Sequence, residues 1–371
     1  MNNQAMIEDV LPTESDAAFI RHLSIATEQA KCLPNETLKL IEERRWFQVL
    51  VPKQAGGLEW PLPKVVRLFE ALAKADANVG WCVNLGAGAN MFAGYLDGHT
   101  ALNIFSKPST CCAGSGAVSG TAQKTDGGYI LTGHWQYASG ASHATHFTCN
   151  AWILNEAGQR ETQEGVPVFK SFIVPAHQVD NKKNWDAIGL QATSSNDFEI
   201  KDVFVPEKNC FTLLEPSAHA GGKLYRFPFS LMAVVNMTCM ITGIAQHFSE
   251  LYQELALAKK PLHADGLLAE NPIAAGIFDV ANREFMATRS NMYNALDAAW
   301  QMLELKAGID EDLAINLKTA CNAAANAARN SINKLFPLCG MDAIYPHTDL
   351  NKVWRDAAVA GQHYLLSPLQ Q

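Results

Sequence analysis

The 371-residue chain contains no CxxC pair, and its nine cysteines are an odd number. That argues against a disulfide framework or a zinc ribbon, and for reduced thiols in a cytoplasmic protein. Charge is scarce, at 18% of residues, and its formal sum is −8. A nucleic-acid or anionic-membrane surface is therefore not expected. No unbroken apolar run approaches the ~20 residues that a membrane span requires. The N-terminal MNNQAMIEDVLPTESD lacks the basic start and apolar centre of a signal peptide. Internal repeats and low-complexity tracts are missing too. What remains is a globular chain, 48% hydrophobic, with enough apolar material for two or three domains and a buried interface between copies.

The pattern falls into three blocks. Residues 1–105 read as helical, with segments through Ala30, from Pro34-Asn35-Glu36, over Pro63–Ala75 and over Gly80–Met91. Ser15-Asp16 is the expected cap of the first. Residues 106–215 read as β, with Val-, Thr- and aromatic-rich runs at Tyr129–Tyr137, Thr145–Leu154, Val166–Ile173 and Asp197–Val205. Short strands at this spacing suggest a small barrel or sandwich. Residues 216–371 return to helices, over Ser230–Lys259, Ile273–Lys306, Glu311–Phe336 and Leu350–Leu366, which suggests a four-helix bundle. The fold class expected is α+β, mainly helical.

One stretch organises the rest: AGSGAVSGTAQKTDGGYILTGHWQYASG, Ala113–Gly140. Its first part, Ala113–Gly120, reads as a small-residue loop. In it Gly114, Ser115 and Gly116 would let backbone N–H groups approach a phosphate or flat heterocycle. Its second part reads as a hairpin about Gly127-Gly128.

The wording of the second strand, Gly133, Trp135, Ser139 and Gly140, resembles the flavin-facing strand of the acyl-CoA dehydrogenase superfamily. It is more similar to the flavin-dependent monooxygenase branch that includes dibenzothiophene monooxygenase and the oxygenase component of p-hydroxyphenylacetate hydroxylase. Four further segments agree in order: Ala75–Trp81, Gly189–Asp197, Val203–Pro206, and Trp354-Arg355-Asp356 with His363.

The resemblance implies three domains, helical, β and helical, in a homotetramer that meets through the C-terminal bundle. It implies reduced flavin, FAD or FMN, supplied by a separate reductase and used with O₂ on a small aromatic, heteroaromatic or amine substrate. Ser139 matches the serine near flavin N5, and His363 the histidine that binds or deprotonates a substrate hydroxyl. Trp135, Thr193 and Ser195 join the cofactor set. Trp81 and Asn84, three apart on one helical face, border flavin and substrate, although Trp81 equally suits a core aromatic. His143 sits near the flavin edge. His146, three residues on, completes no metal set, and no metal is expected.

Two alternatives stay open. An acyl-CoA dehydrogenase needs a carboxylate base, yet Ile344 precedes Tyr345-Pro346 where that family carries Glu, and a second alignment gives His347. The base would have to be displaced. A flavin-free binding protein of the same fold is the other alternative. The FAD-contacting Arg is also missing; Lys259 or Lys260 stands nearby as a point charge. Ser194 replaces a glycine, which leaves FMN open.

Overall fold

Thr13 opens the first helix through a reciprocal capping box: its hydroxyl accepts from the Asp16 N–H, and the Asp16 carboxylate accepts from the Thr13 N–H. The computed structural model describes residues 11–213, 218–306 and 308–367. The N-terminal decapeptide and Pro216 lie outside them. The first block holds α1 (Glu14–Ala30), α2 (Asn35–Glu43), α3 (Leu62–Ala75), α4 (Ala77–Asn90) and α5 (Gly98–Phe105).

Helix α4 has no polar face, and eleven of its fourteen residues are buried. A helix without charge and buried on nearly every side belongs inside a protein. Gly80 lets it press on α3, since a Cβ there would lie 2.5 Å from the Ala73 nitrogen. Asp76 starts α4 by accepting from the Asn78 and Val79 N–H groups.

The middle of the chain forms a seven-stranded mixed sheet. Its strands are β1 (Cys112–Thr125), β2 (Gly128–Ala138), β3 (His146–Leu154), β6 (Phe169–Pro175), β7 (Asp180–Asn181), β8 (Asn196–Pro206) and β9 (Cys210–Phe211). They lie in the order β7-β8-β2-β1-β3-β6-β9, with β1 and β3 parallel. A separate two-residue hairpin is made by β4 (Thr162–Gln163) and β5 (Val166–Pro167). The hairpin turn is Asp126-Gly127, one residue earlier than the Gly-Gly pair suggests. Thr125 pairs with Gly128, and Gly127 takes φ +72°.

The expected loop at Ala113–Gly120 is instead part of β1. Its register against β3 slips between Gly114 and Val118 and again between Val118 and Gly120, so the small residues form a bulge within a strand. The Asn150 amide holds that bulge by donating to the Gly116 carbonyl at 2.8 Å.

The C-terminal helices are α6 (Phe229–Ala258), α7 (Pro272–Leu305), α8 (Glu311–Cys339) and α9 (Asp349–Ala360). Three are long, but α9 has only 12 residues. The apolar repeat to Leu366 breaks at Gly361, after which Tyr364–Leu366 make a 3₁₀ turn. Helix α6 also corrects the reading of the apolar runs. It is long and apolar enough to cross a membrane by length and composition, yet 78% of its most apolar window is buried inside the protein. It is the core helix around which α3, α8 and α9 pack.

Candidate active site

A second bulge builds the centre of the site. Trp135 pairs with Phe198 and Ala138 with Asn196, so β2 carries one residue more than β8. Tyr137 absorbs the extra residue at φ +65° and turns outward, 64% exposed. The chain is thereby re-aimed, and Ser139 turns inward, buried at 5% exposure. The Trp81 indole N–H of α4 donates to Ser139 Oγ at 3.0 Å. Ser139 Oγ lies 2.7 Å from Ser195 Oγ, which lies 2.7 Å from Thr193 Oγ1. Thr193 donates in turn to the Leu190 carbonyl at 2.8 Å.

The 190–195 segment is held by buried charge. Asp356 on α9 accepts from the Leu190 N–H, and Lys352 bridges Asp356 at 2.9 Å and Asp76 at 2.8 Å. All three ionic side chains are essentially sealed. Burial pushes the Asp356 carboxyl up more than Lys352 pulls it down. For Asp76 burial also raises the pKa, but Lys352 and the Ser24 hydroxyl overcome it and hold the carboxyl low. One ammonium thus ties the start of α4, the 190–195 segment and α9 together. Arg355 adds an ion pair to Glu28 and donates to the Ile188 carbonyl. Ser194, at φ +46°, turns its hydroxyl away to the Lys31 carbonyl at 2.9 Å.

His363 does not sit on a helix. It caps the 3₁₀ turn after α9, its Nδ1 accepting from the Leu365 N–H at 3.3 Å. Its ring meets Trp81 edge-on with centroids 6.0 Å apart. Burial lowers its pKa to about 4. A neutral ring whose Nδ1 accepts carries its proton on Nε2. His143 stacks on Phe47 at 5.9 Å, its Nε2 sealed and unpartnered among the described residues, and burial lowers its pKa to about 4 as well. Asn84 donates to the Asn236 carbonyl at 3.0 Å, while the Oδ1 atoms of both asparagines are buried without partners among the described residues.

The structure brings Ser139, Thr193, Ser195, Trp81 and His363 into one connected cluster. Trp135 lies outside it. It is fully buried beneath the sheet, stacked on Phe198 at 5.2 Å with its N–H given to the Asn150 carbonyl. It packs in the sheet's own core cluster, apart from Ser139 and its partners. Gly114 packs against Thr148, where a Cβ would lie 2.1 Å from the threonine hydroxyl. Ser115 is half-buried in the bulge. Gly116 alone of that set faces open space. Lys259, considered for a phosphate, is paired with Asp342 and donates to the Cys339 carbonyl. Sequence reasoning missed Tyr137 and Trp185, whose rings meet edge-on at 6.4 Å beside Ser139's strand. The positive-φ bulge that exposes Tyr137 leaves no mark in an alternating pattern. Lys352 was missed as well, since a lysine reads as surface by default.

The residues present suit the edge of a flat cofactor that presents an N–H. They offer a bulged strand with an open glycine, a hydroxyl with spare acceptor capacity, and sealed polar atoms lacking partners. Among the described residues no three His, Cys, Asp or Glu side chains could hold a metal ion.

Comparison with known proteins agrees with this architecture. Residues 236–368 match the model of the acyl-CoA dehydrogenase C-terminal domain. The chain is 28% identical to indole-3-acetate monooxygenase of Acinetobacter baumannii over 85% of this chain and 80% of that protein. It is 27% identical to the flavin-dependent monooxygenase oxygenase subunit HsaA of Mycobacterium tuberculosis, covering 98% and 91%. The crystal structure of that HsaA superposes with a TM-score of 0.87 over 100% of this chain and 95% of its own, at 24% identity. XiaF from Streptomyces sp., solved with FADH2 and glycerol, superposes at 0.83 over 98% and 92%, at 20% identity. Residues 236–368 thus match the acyl-CoA dehydrogenase C-terminal domain, and the chain is similar over most of its length to flavin-dependent monooxygenases.

Proposed function

We propose that this protein is the oxygenase component of a two-component monooxygenase. In this reading it takes reduced flavin from a separate reductase and oxygenates a small aromatic, heteroaromatic or amine substrate. The observation that carries it is the position of Ser139, whose hydroxyl joins Trp81 on one side and the Ser195–Thr193 pair on the other. Reduced flavin supplies the electrons that activate O₂. With that cofactor bound, Ser139 would accept a hydrogen bond from its N5–H, and Gly116 would leave the backbone open to the ring. Tyr137 and Trp185 offer aromatic cover on the exposed side. His363 donates from Nε2 to a substrate oxygen or nitrogen, and Trp81 fixes the distance between the two groups. Asn84, Asn236 and His143 supply buried polar atoms that a bound ring or a water would satisfy.

A dehydrogenase reading lacks its base. Ile344 and Tyr345 are about half exposed and His347 lies on the surface with them. The buried carboxylates tied to the cluster, Asp76 and Asp356, are both engaged by Lys352. Between FAD and FMN we favour FMN, since Lys259 is already paired. A homotetramer through the C-terminal helices is supported by Ile273 and Val280 of α7 and Leu257 of α6, which are 71%, 56% and 69% exposed. Nine unpaired cysteines fit a reducing cytoplasm.

The test is purification followed by anaerobic titration. A colourless protein that binds reduced flavin, and that oxygenates indole- or phenol-type compounds when a flavin reductase and NADH are added, is the expected result. A protein isolated yellow that passes electrons from an acyl-CoA thioester to a dye would overturn it. A protein that binds flavin in neither state would leave only the binding-protein alternative.

A further inference from the structure

The hydroxyl array behind Ser139 has a direction. Each hydroxyl carries one proton and two lone pairs. The Leu190 carbonyl can only accept, so the Thr193 proton points to it across 2.8 Å. Thr193 Oγ1 must then accept from Ser195, and Ser195 Oγ must accept from Ser139, each across 2.7 Å. The Ser139 proton is therefore committed inward. Its oxygen also accepts from the Trp81 N–H, and one lone pair is left facing away from these partners. If any link turned around, two oxygens would face each other at hydrogen-bond distance with no proton between them.

We propose that Thr193 and Ser195 are positioning residues that lock Ser139 as a hydrogen-bond acceptor, so that the site selects a ligand presenting an N–H over the same ligand presenting a bare nitrogen. This rests on the reading that Ser139 faces flavin N5. Reduced flavin bears a proton at N5 and oxidised flavin does not. For oxidised flavin to gain a bond from Ser139, the array must give up one of its own. The loss of one hydrogen bond corresponds to about a factor of ten in binding. Thr193 and Ser195, both buried, thus act on the cofactor through Ser139 rather than by touching it.

The experiment is an anaerobic titration of oxidised and dithionite-reduced FMN, followed by absorbance and tryptophan fluorescence, on the wild type and four variants. In Thr193→Val the carbonyl anchor is lost and the array can turn around. The ratio of oxidised to reduced Kd should fall about tenfold, chiefly because oxidised FMN binds more tightly, and the potential of bound flavin should drop by about 30 mV. Thr193→Ser keeps the anchor and should keep the wild-type ratio. Ser195→Ala frees the Ser139 proton directly and should copy Thr193→Val, which covers the case in which valine disturbs folding. An unchanged ratio in both Thr193→Val and Ser195→Ala, with a changed one in Ser139→Ala, overturns the array while sparing Ser139. An unchanged ratio in Ser139→Ala as well overturns the placement of Ser139 at N5.

Discussion

Trp81 and Ser139, 58 residues apart in the chain, meet through one hydrogen bond of 3.0 Å between a buried indole N–H and a buried hydroxyl. That contact joins the central helix to the re-aimed end of a strand, and it leaves the other edge of the indole for His363. Trp81→Phe keeps an aromatic ring toward His363 but removes the donor. Stability should fall by about 1 kcal/mol, the usual net worth of such a bond, as read from the urea midpoint. Substrate affinity should change less than reduced-flavin affinity. Equal losses of both would mean that the ring, and not its N–H, is what matters.

In the proposed reading, Ser139→Ala removes the acceptor that faces the cofactor. Hydrogen peroxide should then be released in place of hydroxylated product, with the coupling ratio falling several-fold while substrate Kd stays near wild type. An oxygen electrode with and without catalase, set beside product quantified by chromatography, gives the ratio. Wild-type coupling in this variant would detach Ser139 from the oxidant.

Much of this was legible in the sequence, and for a physical reason. Ser139, Trp81 and His363 stand in segments whose wording matches a known pattern, and helices such as α4 announce themselves by a small-residue composition without charge. What escaped was set by bulges and by buried charge. The extra residue in β2 turns Tyr137 outward and Ser139 inward, against the alternation that Trp135 still obeys. A pattern of period two cannot report its own interruption. Lys352 was illegible because its two carboxylate partners come from positions 76 and 356, a pairing that only the fold creates. The apolar pattern runs a helix on to Leu366, but Gly361 ends it two residues before His363.

Lys352→Met leaves Asp76 and Asp356 buried without their shared cation. Removing one partner of a sealed ionic group costs about 3–5 kcal/mol. The variant should unfold at a much lower urea concentration, and its 190–195 segment should exchange amide protons faster, because the Leu190 N–H is held by Asp356. A loss below about 1 kcal/mol would show that the triad is dispensable. Double replacement of Lys352 and Asp356 by Met and Leu should recover part of the loss, because only Asp76 is then left uncompensated.

Stability should also fall in mild acid. His143 and His247 are held neutral by burial, each with a pKa lowered to about 4. Arg21 opposes protonation of His247 further, while Asp76 and Glu250 favour it. A histidine in the unfolded chain titrates near 6.5, so above that pH neither state gains a proton. Between about pH 6.5 and 4 only the unfolded state takes one up, and folding stability drops as pH falls. Each ring held neutral in this way contributes on the order of 3 kcal/mol over the whole window. Unfolding midpoints measured from pH 7.5 to 4.5 should decline, and His143→Gln should flatten the slope. A slope that His143→Gln leaves unchanged would remove His143 from this account.

His363 gives the sharpest contrast with an expectation drawn from histidine chemistry in general. An imidazole of ordinary pKa would titrate during substrate binding and could serve as a base near neutrality. Here burial holds the ring neutral down to about pH 4, and the Leu365 N–H occupies Nδ1. The nitrogen left over is then a donor, Nε2–H, across the working pH range. Substrate Kd should be flat in this group from about pH 5.5 to 8. His363→Ala should weaken substrate about tenfold, the loss of one hydrogen bond, with reduced-flavin affinity unchanged. His363→Gln, whose amide can still donate, should recover part of that loss, whereas a required base would not be replaced by an amide. A break in substrate affinity near pH 6.5 that disappears in His363→Ala would show instead that the ring titrates at its ordinary value and works as a base.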